Sequence, residues 1–228
     1  MIRSAKQMTK FEIVAADGRV GSVDDFYFDD ERWAIRYVVV DTGLWVEGRR
    51  VLISPLSVSR TDWEGQRLLL SISREEVKDS PDVSGDTHLR SASEVSGYGV
   101  RATDGELGHV EDFLFDDVSW AIRYLVIDTS NWWLGKHVLV APRWIRQIAW
   151  EDRSVTASVR RHRLKNAPEY HRAEHVDRQW EAAYYRHLQQ PGYWIDGGEA
   201  HAIKEAQSYL REEPDRHSAS VERRSRPR

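Results

Sequence analysis

The sequence has no cysteine, only two methionines, and no apolar run of more than a few residues. Without cysteine there are no disulfides, no thiolate metal sites and no cysteine nucleophile, a composition that fits a reducing compartment. The N-terminal stretch Met1–Val14 lacks the apolar core of a signal peptide. Val38–Val40 is typical of the longest purely apolar stretches, far too short to cross a bilayer. A cytoplasmic chain with no transmembrane segment is therefore expected. Charge of one sign is also missing, since 33 Lys and Arg face 37 Asp and Glu for a net charge of −4. The basic patch or stripe of a nucleic-acid binder is not visible, which argues against DNA as a partner.

What the chain does have is ten tryptophans. Each supplies much burial per residue, so two small modules can build adequate cores. Self-comparison shows two such modules. Asp17-Gly18 recurs as Asp104-Gly105, an offset of 87 residues (104 less 17). The offset then holds without a gap: Gly21 meets Gly108, Asp25-Phe26 meets Asp112-Phe113, and Phe28-Asp29-Asp30 meets Phe115-Asp116-Asp117. Trp33-Ala34-Ile35-Arg36-Tyr37 meets Trp120-Ala121-Ile122-Arg123-Tyr124, and Pro55, Trp63 and Pro81 meet Pro142, Trp150 and Pro168. A match of this length is a duplication.

Each copy reads as mainly β. Asp17-Gly18 between valine-containing segments is a tight turn. Val23–Phe28 and Trp33–Val40 are rich in aromatic and β-branched residues, with Asp29–Arg32 as the polar loop between them. Val51–Ile53 and Leu68–Ile72 complete a small closed or nearly closed barrel, and Ser73–Glu76 is a capping-box start for a short helix. The organisation expected is a first barrel over 1–81, a linker over 82–88, and a second barrel over 89–168. A helical extension over 169–210 follows, then a disordered basic tail over 211–228. In the extension, Ala173, Val176, Trp180 and Leu188 recur at helical spacing, predicting an amphipathic helix from Pro168 to about Gln190 that must dock on something. Glu199–Leu210 reads as a second, weaker helix.

The Asp17-Gly18-x-x-Gly21 turn, the strand Val23-x-Asp25-Phe26-x-Phe28-Asp29 and the strand Ile35-Arg36-Tyr37-x-Val39-x-Asp41, all repeated in the second copy, resemble the PRC-barrel family. The family includes the cytoplasmic domain of the photosynthetic reaction-centre H subunit and the C-terminal domain of a ribosome maturation factor. The resemblance implies tandem small β-barrels that dock on another macromolecule, with no catalytic residues and no cofactor to carry over. The expectation is a non-enzymatic protein-binding scaffold or adaptor, docking on a membrane-associated or photosynthetic-type complex. The alternative is an RNA- or ribosome-associated assembly factor. A protein partner is expected, and a homo-oligomer is compatible with the sequence.

Few residues stand out as a site. Trp45, Trp132 and Trp133 lie in the Gly-rich loops and are either folded back over a barrel end or exposed as partner anchors, since tryptophan is enriched at binding hot spots. His171 and His175 frame an H-x-x-E-H pattern like that of inverted zinc peptidases. A solvated helix face accounts for it better, because no third ligand or substrate cleft is apparent. The acidic pairs Asp24-Asp25, Asp29-Asp30, Glu111-Asp112 and Asp116-Asp117 lack the ligand spacing of an EF-hand loop. They read as turn residues plus one repeated structural ion pair. If Asp29–Arg32 is the hairpin loop, Asp25 faces Arg36 and Asp112 faces Arg123.

Overall fold

In the computed structural model, residues 1–46, 48–81, 89–130, 136–172 and 176–195 are described, with Lys204, Ser208 and Arg211. The first copy runs β1 (Ile2–Ser4), α1 (Ala5–Met8), β2 (Glu12–Ala15), β3 (Gly18–Asp29), β4 (Ala34–Asp41), β5 (Arg50–Ile53), β6 (Val58–Asp62), β7 (Arg67–Leu70) and α2 (Arg74–Lys78). The second repeats this order as β8 (Leu89–Ser91), α3 (Ala92–Val95), β9 (Gly99–Ala102), β10 (Gly105–Asp116), β11 (Ile122–Asp128), β12 (His137–Val140), β13 (Ile145–Ala149), β14 (Ser154–Ala157) and α4 (Arg161–Lys165). A longer helix, α5 (Arg178–Leu188), follows. The expected linker over 82–88 and, apart from Arg211, the expected tail over 211–228 lie outside the described residues, as does nearly all of the expected helix over 199–210.

The repeated Asp-Gly turn joins β2 to β3 and does a second job. Asp17 Oδ1 accepts the backbone N–H of Arg74 at 2.7 Å and Asp104 Oδ1 that of Arg161 at 2.5 Å, so each turn caps the short helix ending its copy. Gly21 and Gly108 are required by a close approach. A Cβ on either would lie 2.0 Å from the carbonyl oxygen of Asp41 or Asp128. The capping box at Ser73 and Glu76 forms as the sequence predicts.

Each sheet has the order β5-β4-β3-β2-β7-β6 or its equivalent β12-β11-β10-β9-β14-β13. Among the described residues no ladder joins the two ends of either sheet, so neither barrel is closed by hydrogen bonds. Seven strands are reached in each only by exchange: β1 pairs with β10, and β8 pairs with β3. The barrels expected over 1–81 and 89–168 are therefore not self-contained. Each copy sends its N-terminal strand and the short helix after it onto the other copy.

The exchange is reciprocal at its principal contacts, the signature of a twofold relation. Ser4 Oγ donates to Asp112 Oδ2 at 2.5 Å and Lys6 N–H to Asp112 Oδ1 at 3.0 Å. In the other direction Ser91 Oγ donates to Asp25 Oδ2 at 2.5 Å and Ser93 N–H to Asp25 Oδ1 at 3.0 Å. Arg3 Nε reaches Asp117 at 3.3 Å while its guanidinium sits 4.5 Å from the Trp63 ring centroid; Arg90 reaches Asp30 at 3.0 Å and sits 4.0 Å from Trp150. The hairpin tips also meet: Ile35 N–H donates to Trp120 O at 2.9 Å and Ile122 N–H to Trp33 O at 2.7 Å. Beneath them Phe26 packs on Phe115 and Phe28 on Phe113, fusing the two cores.

This exchange replaces the predicted ion pairs. No hydrogen bond or ion pair joins Asp25 to Arg36, or Asp112 to Arg123, among the described residues. The register explains it. Asp29 Oδ1 accepts the N–H groups of Glu31 and Arg32, and Trp33 adopts φ +53° to stack on Phe28 at 5.6 Å. The loop therefore takes in Trp33, and Asp29 pairs with Ala34. Bulges then place Arg36 and Asp24 outside the ladder, so Asp25 faces Val39; in the second copy Asp112 faces Val126. Arg36 and Arg123 are both buried.

The predicted helix from Pro168 is shorter than expected. Residues 168–172 are not helical; Tyr170 N–H bonds His137 O at 3.1 Å along the edge of β12. Helix α5 begins where Asp177 accepts Trp180 N–H and ends at Gln189 in the left-handed region. It is docked, as its apolar stripe demands, with Tyr184, Tyr185 and Leu188 buried against the second copy. Tyr184 Oη bonds both the N–H and the C=O of Leu139, sealing the open edge of β12.

Two outcomes follow for Asp112. Replacing it by Ala leaves the Ser4 hydroxyl and the Lys6 and Phe113 N–H groups without their acceptor. The loss expected in a denaturant titration is about 3 kcal/mol or more. Asp24→Ala, which removes only ion pairs to the exposed Lys10 and Arg50, costs less than about 1 kcal/mol. Burial also raises the Asp112 carboxyl above its ordinary value, against the lowering pull of those three hydrogen bonds. A carboxyl raised on folding stabilises the fold below its unfolded value of about 3.9, and that contribution fades as pH rises through the folded value. Asp112→Asn keeps an acceptor for both N–H groups, so its stability should fall less steeply than wild type as pH rises above about 4. Parallel curves would show that the Asp112 charge plays no part.

Candidate functional site

Trp45 lies in a 3-10 turn, Gly43–Val46, half-buried against the core, with the Arg74 guanidinium 4.6 Å from its ring centroid. It is folded back over the end of the first sheet, the first of the two placements the sequence allows, and not presented as an anchor. Trp132 and Trp133 lie outside the described residues. His171 is exposed and not helical; His175 and the two residues before it lie outside the described residues, so the spacing of the pattern falls on them.

The acidic pairs have structural duties. Asp25 and Asp112 anchor the exchanged arms, and Asp30 and Asp117 hold the arm arginines. Asp29 and Asp116 cap the hairpin tips. Asp24 meets Lys10 and Arg50, while Glu111 meets Lys6, Arg172 and His137.

Sequence reading missed a buried carboxylate. Glu181, on α5 and 2% exposed, accepts the hydroxyls of Tyr124 at 2.6 Å and Tyr193 at 2.9 Å, and pairs with Arg178 at 3.2 Å. Burial pushes its carboxyl upward, opposed by the two tyrosine bonds and by Arg178 and Arg123. The guanidinium of Arg123 stacks over Tyr193 at 4.6 Å. The arrangement clasps the C-terminal segment onto the second copy, beside a cleft of about 360 Å³ that includes Met1, Val176 and Arg178. The only sequence signal was an acidic residue flanked by the tryptophan and tyrosines of an apolar stripe, which reads more readily as the solvent side of the helix.

The most distinctive surface is where the copies meet. A groove of about 250 Å³ runs along the outer strand β6, from Pro55 and Leu56 to Thr61, and is walled opposite by Asp117, Val118 and Trp120 of the second copy's hairpin tip. Leu56 is 48% exposed and Val118 65%, two of the few large apolar side chains that face water among the described residues. Val118 is held at the apex because Asp116 accepts the N–H groups of Val118 and Ser119. The equivalent positions on the opposite side of the molecule are Arg143 and Glu31. The duplication keeps its anchors in both copies but differs here, placing an apolar pair on one face and charges on the other.

No curated protein matches the chain. A family model, PRC-barrel domain, matches residues 3–77, from the exchanged strand β1 into α2. The second copy repeats that stretch element for element, with its own exchanged strand, Asp-Gly turn and closing helix. Residues 3–77 are thus similar to a PRC-barrel domain, in a fold of two β sheets built on the same plan.

Proposed function

We propose that the protein is a non-catalytic scaffold that holds a protein partner in the groove between its two copies. The observation that carries this reading is the exposed pair Leu56 and Val118, one from each copy, in a single groove. Apolar side chains presented together on an otherwise polar surface mark interaction sites. Because the walls come from different copies, the site exists only when the copies are assembled. A PRC-barrel domain fits a general interaction role, and the reading takes in docking on a membrane-associated complex from the cytoplasm. No described helix is long and apolar enough to cross a membrane.

Leu56→Arg with Val118→Glu installs the residue types that the molecule already carries at Arg143 and Glu31. The double variant should fold with an unchanged Tm. In affinity capture from the native host it should lose the proteins held by the wild type, the loss of about 2 kcal/mol being roughly thirty-fold in affinity. Capture of the same proteins by both forms contradicts the groove as the site. Captured RNA that is released steeply with salt would favour an assembly factor for ribosomes instead.

A further inference from the structure

The contacts that join the two copies do not distinguish one chain from another. Arg3, Ser4, Asp25, Asp30 and Trp63 make on one side what Arg90, Ser91, Asp112, Asp117 and Trp150 make on the other. Each copy both donates an arm and receives one. Nothing in these contacts ties the first copy to the second copy of its own chain; that role falls to the covalent connection through residues 82–88.

We propose that the interaction surface between the copies also binds a second copy of this chain, giving an exchanged dimer. In it the first copy of each chain is completed by the second copy of the other. Ser4 of one chain then bonds Asp112 of its partner, and the same Phe26–Phe115 and Phe28–Phe113 packing forms across the chains. The described contacts between the copies are the same in both arrangements. The balance between closed monomer and exchanged dimer is set by mass action against the tether, which supplies an effective concentration on the order of a millimolar. Refolding at ~10 µM should give about one exchanged chain in a hundred, and ~100 µM about tenfold more.

The hairpin tips provide the test. Ala34 and Ala121 form an antiparallel bridge, flanked by the Ile35–Trp120 and Ile122–Trp33 backbone bonds. That is a narrow pair, with Cα atoms about 4.5 Å apart, within disulfide reach. The chain has no cysteine of its own. The full-length variant Ala34→Cys, Ala121→Cys is refolded from denaturant at both concentrations, oxidised, and run on a non-reducing gel. A second full-length variant, Arg60→Cys with Leu69→Cys, bridges two positions that are register partners within the first copy. The expected result is a covalent dimer of the first variant that rises about tenfold with concentration, while the second variant stays monomeric throughout. An intrachain bridge alone at every concentration overturns the proposal. So does an equal yield of covalent dimer from both variants, which would report indiscriminate association.

Discussion

The structure depends on a carboxylate that each copy offers to the other. Asp25 and Asp112 each sit one residue past a bulge in the long central strand, and each accepts a serine hydroxyl and a backbone N–H from the opposite copy's N-terminal arm. A buried carboxylate satisfied by donors is tolerable; one stripped of them is costly. The arm that satisfies Asp112 is also the arm that adds the seventh strand to the second sheet. Removing the polar contact and removing the strand are thus one event.

From that anchor the rest of the assembly follows. With the arms exchanged, Arg3 and Arg90 each lie between a tryptophan of their own copy and an aspartate of the other. The hairpin tips are brought into backbone contact, and four phenylalanines form one core shared by two sheets. The open edge of β12 is sealed separately, by Tyr184 of the docked helix. The groove at Leu56 and Val118 is a consequence of the same geometry, because its two walls belong to different copies. A symmetric frame thereby carries an asymmetric surface.

Much of this was legible in the sequence, and the parts that were not have physical reasons. The repeat, the Asp-Gly turns, the main strands of each copy and the capping box at Ser73 all rest on local chemistry, which short stretches encode. Register was misread because the bulges at Asp24 and Arg36 break the period of two without any marker such as glycine. Trp33 entering the loop with positive φ was equally silent, since its stacking on Phe28 is what makes that conformation acceptable. The exchange did leave a trace. Arg3-Ser4-Ala5 and Arg90-Ser91-Ala92 obey the same offset as the rest, so the arms belong to the repeat. What no pattern discloses is which copy an arm pairs with. The side chain of Glu181 was hidden for another reason: an acid near an apolar stripe looks solvated until two tyrosines and an arginine are folded around it.

The most direct test of the exchanged-arm account is amide hydrogen exchange at Lys6 and Ser93. Both lie in short N-terminal arms, where fraying and fast exchange are the ordinary expectation. Their N–H groups instead donate to Asp112 and Asp25. The account predicts that both amides exchange only with global unfolding, at rates like those of core amides in the central strands. Exchange of either amide at rates near those of an unstructured chain, while the central strands stay protected, would contradict it.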